Sequence, residues 1–174
     1  MTAASPTTPS SCSVRTTERR LARKAWMRSI CRTKSRPIPL LIRYPRRIRA
    51  GTRTDALISN VDYAPTLLSL CGVKAQRTMQ GVDLAGLLTR AKGSSPESIY
   101  AEGGLGQPHE WRMVVRGRSK LVVNSALRPT HLYHLGEDPY EQENLVARPA
   151  SRRNSEELQA LLRRWAARTG DRVG

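Results

Sequence analysis

The sequence predicts an α+β fold. It is a small, mostly antiparallel sheet with a capped helix and a C-terminal helix packed on it, preceded by a disordered basic N-terminus. Three patterns carry that expectation. Trp111 to Val115 and Lys120 to Asn124 are two alternating runs on either side of a turn at Arg116-Gly117-Arg118-Ser119, the mark of a β-hairpin. Asn60 to Val73 has apolar residues at helical spacing with both ends marked. Leu158, Leu161, Leu162 and Trp165 follow the i, i+3, i+4, i+7 stripe of an amphipathic helix.

The 174 residues are enough for one domain with a tail. The formal net charge is +16, which taken whole points to an acidic partner such as nucleic acid. The charge is unevenly placed, however. Residues 1–50 hold 13 Lys and Arg against the single acid Glu18, while residues 51–174 hold 17 against 13 acids. The expected division is a disordered or poorly folded basic segment over 1–37 and one domain over 38–174. A basic RNA-binding arm is the alternative for the first segment, with Trp26 its only stacking platform. No recognition motif supports it, so nucleic acid is set aside as a partner. No apolar run reaches the length of a membrane span, and no membrane partner is expected. Met1 to Cys12 lacks the apolar centre of a signal peptide, and localisation stays open. Cys12, Cys31 and Cys71 form no Cys-x-x-Cys pair and no zinc pattern.

Residues 1–14 are mostly Ser, Thr, Pro and Ala and bury too little to offset ordering entropy. Leu21, Ala22, Ala25 and Trp26 share one helical face, but the pattern is lost after Met27. Leu40-Leu41-Ile42-Arg43-Tyr44, closed by Pro45, reads as a buried strand. In the helix that follows, Asp62 is the expected N-cap, Pro65 lies in the first turn, and Gly72 takes the left-handed position after the last turn. Leu84, Leu87 and Leu88 make a short apolar turn, and Ser98 to Glu102 is a strand ended by Gly103-Gly104-Leu105-Gly106. Those glycines resemble a phosphate cradle only loosely, because no helix follows them.

In the hairpin, Trp111, Met113 and Val115 are expected on one face with Leu121 and Val123 opposite. Arg112, Arg116, Arg118 and Lys120 then decorate a solvated face. Leu132 to Leu135 is the next strand. The C-terminal helix is expected from about Ser155 to Arg168, opened by an Asn154/Glu157 capping box and stopped by Gly170.

Between strand and helix lies the densest acid in the chain, Glu137, Asp138, Glu141 and Glu143, with His131 and His134 just upstream. The first reading is a metal or acid/base site. Against it, no neighbouring residue completes a coordination shell, and Asp138-Pro139 is a favoured turn pair. The stretch is therefore expected to be a structural connection.

In order and spacing, these segments resemble the C-terminal part of the sulfatase family, within the alkaline-phosphatase superfamily. The resemblance rests on Pro39 to Pro45, Ser59 to Leu68 with Cys71-Gly72-Val73, and Gln80-Gly81-Val82-Asp83-Leu84. It continues through Trp111 to Val114 with Lys120-Leu121, and Leu132 to Leu135 with Asp138-Pro139 and Glu143-Asn144-Leu145. It covers about residues 38–168 and is nearest to N-sulfoglucosamine sulfohydrolase-type C-terminal domains. His134 stands where the family usually has Asp.

The resemblance implies hydrolysis of sulfate esters or sulfamates through a formylglycine made within a Cys/Ser-x-Pro/Ala-x-Arg motif, with calcium as the usual metal. Ser11-Cys12-Ser13-Val14-Arg15 lacks the Pro or Ala of that motif and lies too close to the following strand. No cofactor is expected in this chain, and calcium only in a complete family member. Glu18 to Lys24 resembles the segment whose Lys contacts the substrate sulfate, which makes Lys24 the one candidate catalytic residue. The family's next link is replaced by Arg28 to Arg36, as a reading-frame disruption between about Met27 and Arg36 would leave it. The expectation is a sulfatase fragment without turnover of its own, with a separate catalytic part as its candidate partner.

Overall fold

The structure, a computed structural model, describes residues 13–16, 39–90, 93 and 95–171. Its larger group of elements is a four-stranded antiparallel sheet, β3 (Ser98–Gly103), β4 (Trp111–Arg116), β5 (Ser119–Asn124) and β6 (Pro129–His134), in simple meander order. Helix α3 (Arg152–Thr169) packs across β4, β5 and β6. The smaller group holds a two-stranded ribbon, β1 (Ser13–Thr16) with β2 (Leu40–Arg43), and the short helices α1 (Tyr63–Leu70) and α2 (Ala85–Arg90). This is the α+β arrangement expected from the sequence. Strand β1 is not legible in the sequence pattern.

Gly117 opens the two-residue turn of the β4–β5 hairpin at φ 56°, a conformation that a Cβ would strain. The register pairs Val114 with Leu121 and Arg112 with Val123. Cross-strand partners share a face, so Leu121 and Val123 lie with Val114 and Arg112, not with Met113 and Val115 as the alternation alone indicates. That face meets α3, and the core is Val114, Leu121, Val123, Leu132, Leu158, Leu161 and Leu162. The other face is covered as well. Val115, Lys120, Val122 and Tyr133 are all buried.

Helix α3 carries its stripe as expected, but it starts three residues early. A 3-10 turn at Pro149–Ser151 leads straight into Arg152, and Pro149 tolerates that first position because its missing N–H has no partner to lose. The expected capping box does not form. Asn154 turns sideways and donates to Ser119 Oγ at 3.2 Å, and Glu157 pairs with Arg116. At the other end, Gly170 takes φ 71°, and the N–H groups of Gly170 and Asp171 both donate to the carbonyl of Ala166. This is the left-handed stop that the glycine predicts.

The smaller group corrects two expectations. Strand β2 is not buried: Leu40 and Ile42 are half-buried against α1 and α2, while Leu41 and Arg43 are exposed. Its only strand partner among the described residues is β1. Asp62 stands at the N-cap position of α1 as expected, but its carboxylate makes no capping bond to that helix. It closes a 3-10 turn, and its Oδ2 accepts from the Ser59 N–H at 2.8 Å while Oδ1 accepts from the Val82 N–H at 2.8 Å. One buried carboxylate thus staples the loop before α2 to the start of α1. Gly81 is required there, because a Cβ would lie 2.0 Å from the carbonyl oxygen of Val61.

Candidate functional site

The acidic stretch is an ordered connection in which Asp138, Glu141 and Glu143 are each committed to a partner, while Glu137 stays exposed. Asp138 accepts from the Glu143 N–H at 2.8 Å. Amides of Gln142 and Glu143 hold its carboxyl below the usual range, as expected where N–H groups favour the charged form. Glu143 pairs with Arg148. Glu141 turns inward at φ 54° and receives the Lys120 ammonium on both oxygens, each at 2.9 Å. Lys120 and Glu141 are 0% and 3% exposed. Burial pulls the Lys120 pKa down, and Glu141 opposes that shift.

Asn144 completes the connection. Its Oδ1 accepts from the N–H groups of Leu132 and Val146, and its Nδ2 donates to the carbonyl of Thr130. With Leu145 N–H donating to the carbonyl of Leu132, the loop occupies the outer edge of β6. Backbone groups of an edge strand that would otherwise be open to pairing are thereby capped. The Glu-Asn-Leu signature is an edge cover.

The second concentration of charge lies where β3, β4 and the end of α3 meet. Arg112, expected on a solvated face, is 1% exposed and pairs with Asp171 and Glu110. Its Nη2 meets Asp171 Oδ1 at 2.8 Å, and its Nε meets Oδ2. The Tyr100 hydroxyl also donates to Asp171. These bonds draw the Asp171 pKa down to about 2, the Arg112 contact being the largest cause. Burial and the Asp171 charge push the Glu102 carboxyl up, and burial raises Tyr100. Beside this cluster the Trp165 indole donates to Ser98 Oγ at 2.9 Å and stacks on Tyr100. Asp171 has no sequence signal beyond its place one residue after the helix-stopping glycine.

The glycine segment is no phosphate cradle. The N–H of Gly106 donates to Glu110 Oε2 at 2.9 Å, so the loop holds one of the chain's own carboxylates. Among the described residues, no group of three or more His, Cys, Asp or Glu side chains is placed to hold a metal ion. The calcium of the resemblance therefore does not fit these residues: Asp138, Glu141, Glu143 and Asp171 are bound to amides or bases. His131 lies against Tyr133, and His134 Nδ1 is 3.7 Å from Glu137. Lys24 and the segment around it lie outside the described residues. What remains among the described residues is a set of closed charge pairs that hold the fold together.

The comparisons with known proteins bear on this arrangement. A family model described as N-sulphoglucosamine sulphohydrolase, C-terminal, matches residues 22–168. An N-acetylglucosamine-6-O-sulfatase of Bacteroides thetaiotaomicron is 28% identical over 134 residues, covering 72% of this chain and 24% of its own. An ulvan-active sulfatase of Formosa agariphila is 34% identical over 128 residues, covering 70% of this chain and 21% of its own. The chain thus spans about a quarter of the length of the curated relatives it matches. Among solved structures, a 2-O GAG sulfatase superposes with a TM-score of 0.68 at 26% identity, over 77% of this chain and 30% of its own. A phosphonate monoester hydrolase of Silicibacter pomeroyi, at 21% identity and a TM-score of 0.65, shares the fold over 78% of this chain and 30% of its own.

Proposed function

From the premise that this chain belongs to the N-sulphoglucosamine sulphohydrolase C-terminal family of sulfatase domains, we propose that it is the structural C-terminal part of a sulfuric ester or sulfamate hydrolase, without turnover of its own. The observation that carries this reading is the state of its charged groups. The carboxylates and bases best placed for chemistry, Glu141 with Lys120 and Asp171 with Arg112, neutralise one another in buried pairs. A sulfatase needs a nucleophile and a metal held by several free carboxylates, and neither fits the described residues. Match lengths of about a quarter of each curated relative agree with one part of a longer sulfatase, and a separate catalytic part is the partner proposed for it. Lys24 is proposed as a sulfate-contacting residue only in the presence of that partner, where its ammonium would stabilise charge on the departing sulfate.

Calcium titration calorimetry on the purified chain tests the assignment of the metal to the catalytic part. The expected result is no saturable heat. Saturable binding lost in an Asp138→Asn variant would place a metal site in the acidic connection and overturn the reading.

A further inference from the structure

The two edges of the sheet are finished differently. The β6 edge is covered by the Asn144 loop. The β3 edge has no further strand beside it among the described residues. Helix α3 packs across β4, β5 and β6, and it reaches β3 through side chains. The period of two puts Ser98, Tyr100 and Glu102 on one face of β3. Tyr100 pairs with Val114 of the core, so that face is the one turned toward α3. Ser98 Oγ accepts from the Trp165 indole, the Tyr100 ring stacks on Trp165, and the Tyr100 hydroxyl donates to Asp171 just past the helix stop. The Arg168 guanidinium lies over the Trp165 ring at 4.6 Å.

Charge at this edge does not balance. Glu102 stands directly opposite Arg112 in the register, where an ion pair between the two is the ordinary outcome. Arg112 is committed elsewhere: its Nε and Nη2 bind Asp171, and its Nη1 faces Glu110. Glu102, Glu110 and Asp171 thus gather around one guanidinium. The Tyr100 hydroxyl is 3.3 Å from Glu102 Oε2, but it has one proton and also meets Asp171. Carboxylates that share a site are relieved when one of them keeps a proton. Glu110 is not that one, because the Gly106 amide and Arg112 hold its carboxyl below the usual range. Asp171 is held ionised by Arg112. Burial, then the Asp171 charge, push the Glu102 carboxyl up. Glu102 is also exposed at the rim of the sheet, where its proton exchanges with solvent.

We propose that Glu102, Tyr100 and Asp171 form a proton-dependent clasp that fastens the edge strand β3 to the end of α3, closed while Glu102 carries a proton and loosened when it gives that proton up. The protonated carboxyl is a donor to Asp171 beside the phenol. The ionised one faces Asp171 as a like charge, with Arg112 already taken. The folded chain holds the Glu102 proton more tightly than the unfolded chain does. The clasp is therefore complete at the ordinary value of 4.5 and weakens as pH rises through the raised one. At the acid end it fails as Asp171 is protonated, near 2. Asp171 lies beyond residues 22–168, the stretch matched by the family model, and the clasp does not depend on the reading of the chain as a sulfatase part.

The test is amide exchange on the full chain and its Glu102→Gln variant, with protection corrected for the intrinsic pH dependence of exchange. Between about pH 4 and pH 8, protection of β3 relative to β5 falls by about tenfold in the full chain. Glu102→Gln keeps a donor that does not titrate, and its β3 protection stays at the acid value throughout. Carbon NMR of the Glu102 carboxyl gives a reading that needs no altered clasp: its midpoint lies above 4.5, and Asp171→Asn moves it down. Matching pH profiles of β3 in the two chains, a uniform loss across all four strands, a midpoint at or below 4.5, or a midpoint unmoved by Asp171→Asn would overturn the proposal.

Discussion

Lys120 and Glu141 show most sharply what a charge in this chain is for. A buried ammonium without its carboxylate keeps the whole cost of desolvation. Glu141→Ala is therefore expected to destabilise the chain by about 3–5 kcal/mol, read as a lower midpoint in urea. Lys120→Met with Glu141→Leu should recover most of that loss, since a well-packed apolar pair avoids the desolvation altogether. Asp171 gives the pH-dependent counterpart. Its folded-state pKa of about 2 lies below the ordinary 3.8. Its contribution, about 2 kcal/mol, is complete above the unfolded value and is lost as pH falls from about 4 through 2. Glu102 shifts the opposite way, so its share is present at acid pH and fades as pH rises through its raised value. Asp171→Asn should flatten the acid limb of a stability-versus-pH curve. An unchanged acid limb would show that the Arg112 pair does not set it. None of this is visible in the sequence. Arg112 and Lys120 sit at alternate positions of a hairpin that reads as half solvated, and their partners lie 59 and 21 residues away.

At the scale of elements, periodicity and punctuation carried most of the fold. The stripe of α3 lies where the i, i+3, i+4, i+7 pattern puts it, and Gly117 and Gly170 take the positive φ their positions require. Patterns that depend on a neighbour were less legible. The facing residues of the hairpin follow the register, which a two-residue turn sets and an apolar count does not. The start of α3 follows Pro149 and not the Asn154/Glu157 pair, because Glu157 is claimed by Arg116 across the fold. Strand β2 reads as buried because its residues are apolar, and burial needs something on both faces. The contrast between two leucines tests this. Leu162→Ala, at 1% exposure in the core, should cost about 2–5 kcal/mol. Leu41→Ala in the isolated chain should change stability by under about 0.5 kcal/mol. Comparable losses at both sites, measured by chemical denaturation, would mean that β2 is packed on both sides in solution.

For the whole molecule, the net charge of +16 is the least informative number about function. Over residues 51–174 the charges nearly balance, and the most buried of them are spent on internal pairs. The family was legible because the motifs that carry it, the Asp62 staple, the Gln80-Gly81 turn and the Asp138 to Leu145 edge cover, are structural devices with strict local geometry. Activity was not legible in the same residues, since a structural device says which fold it closes and nothing about the reaction performed beside it. We propose that this chain carries the sulfatase C-terminal fold without its reaction centre. Turnover of an aryl sulfate by the purified full chain, with and without calcium, tests that claim most directly. The predicted result is hydrolysis no faster than in buffer under both conditions. Calcium-dependent turnover that scales with the concentration of the chain would contradict it.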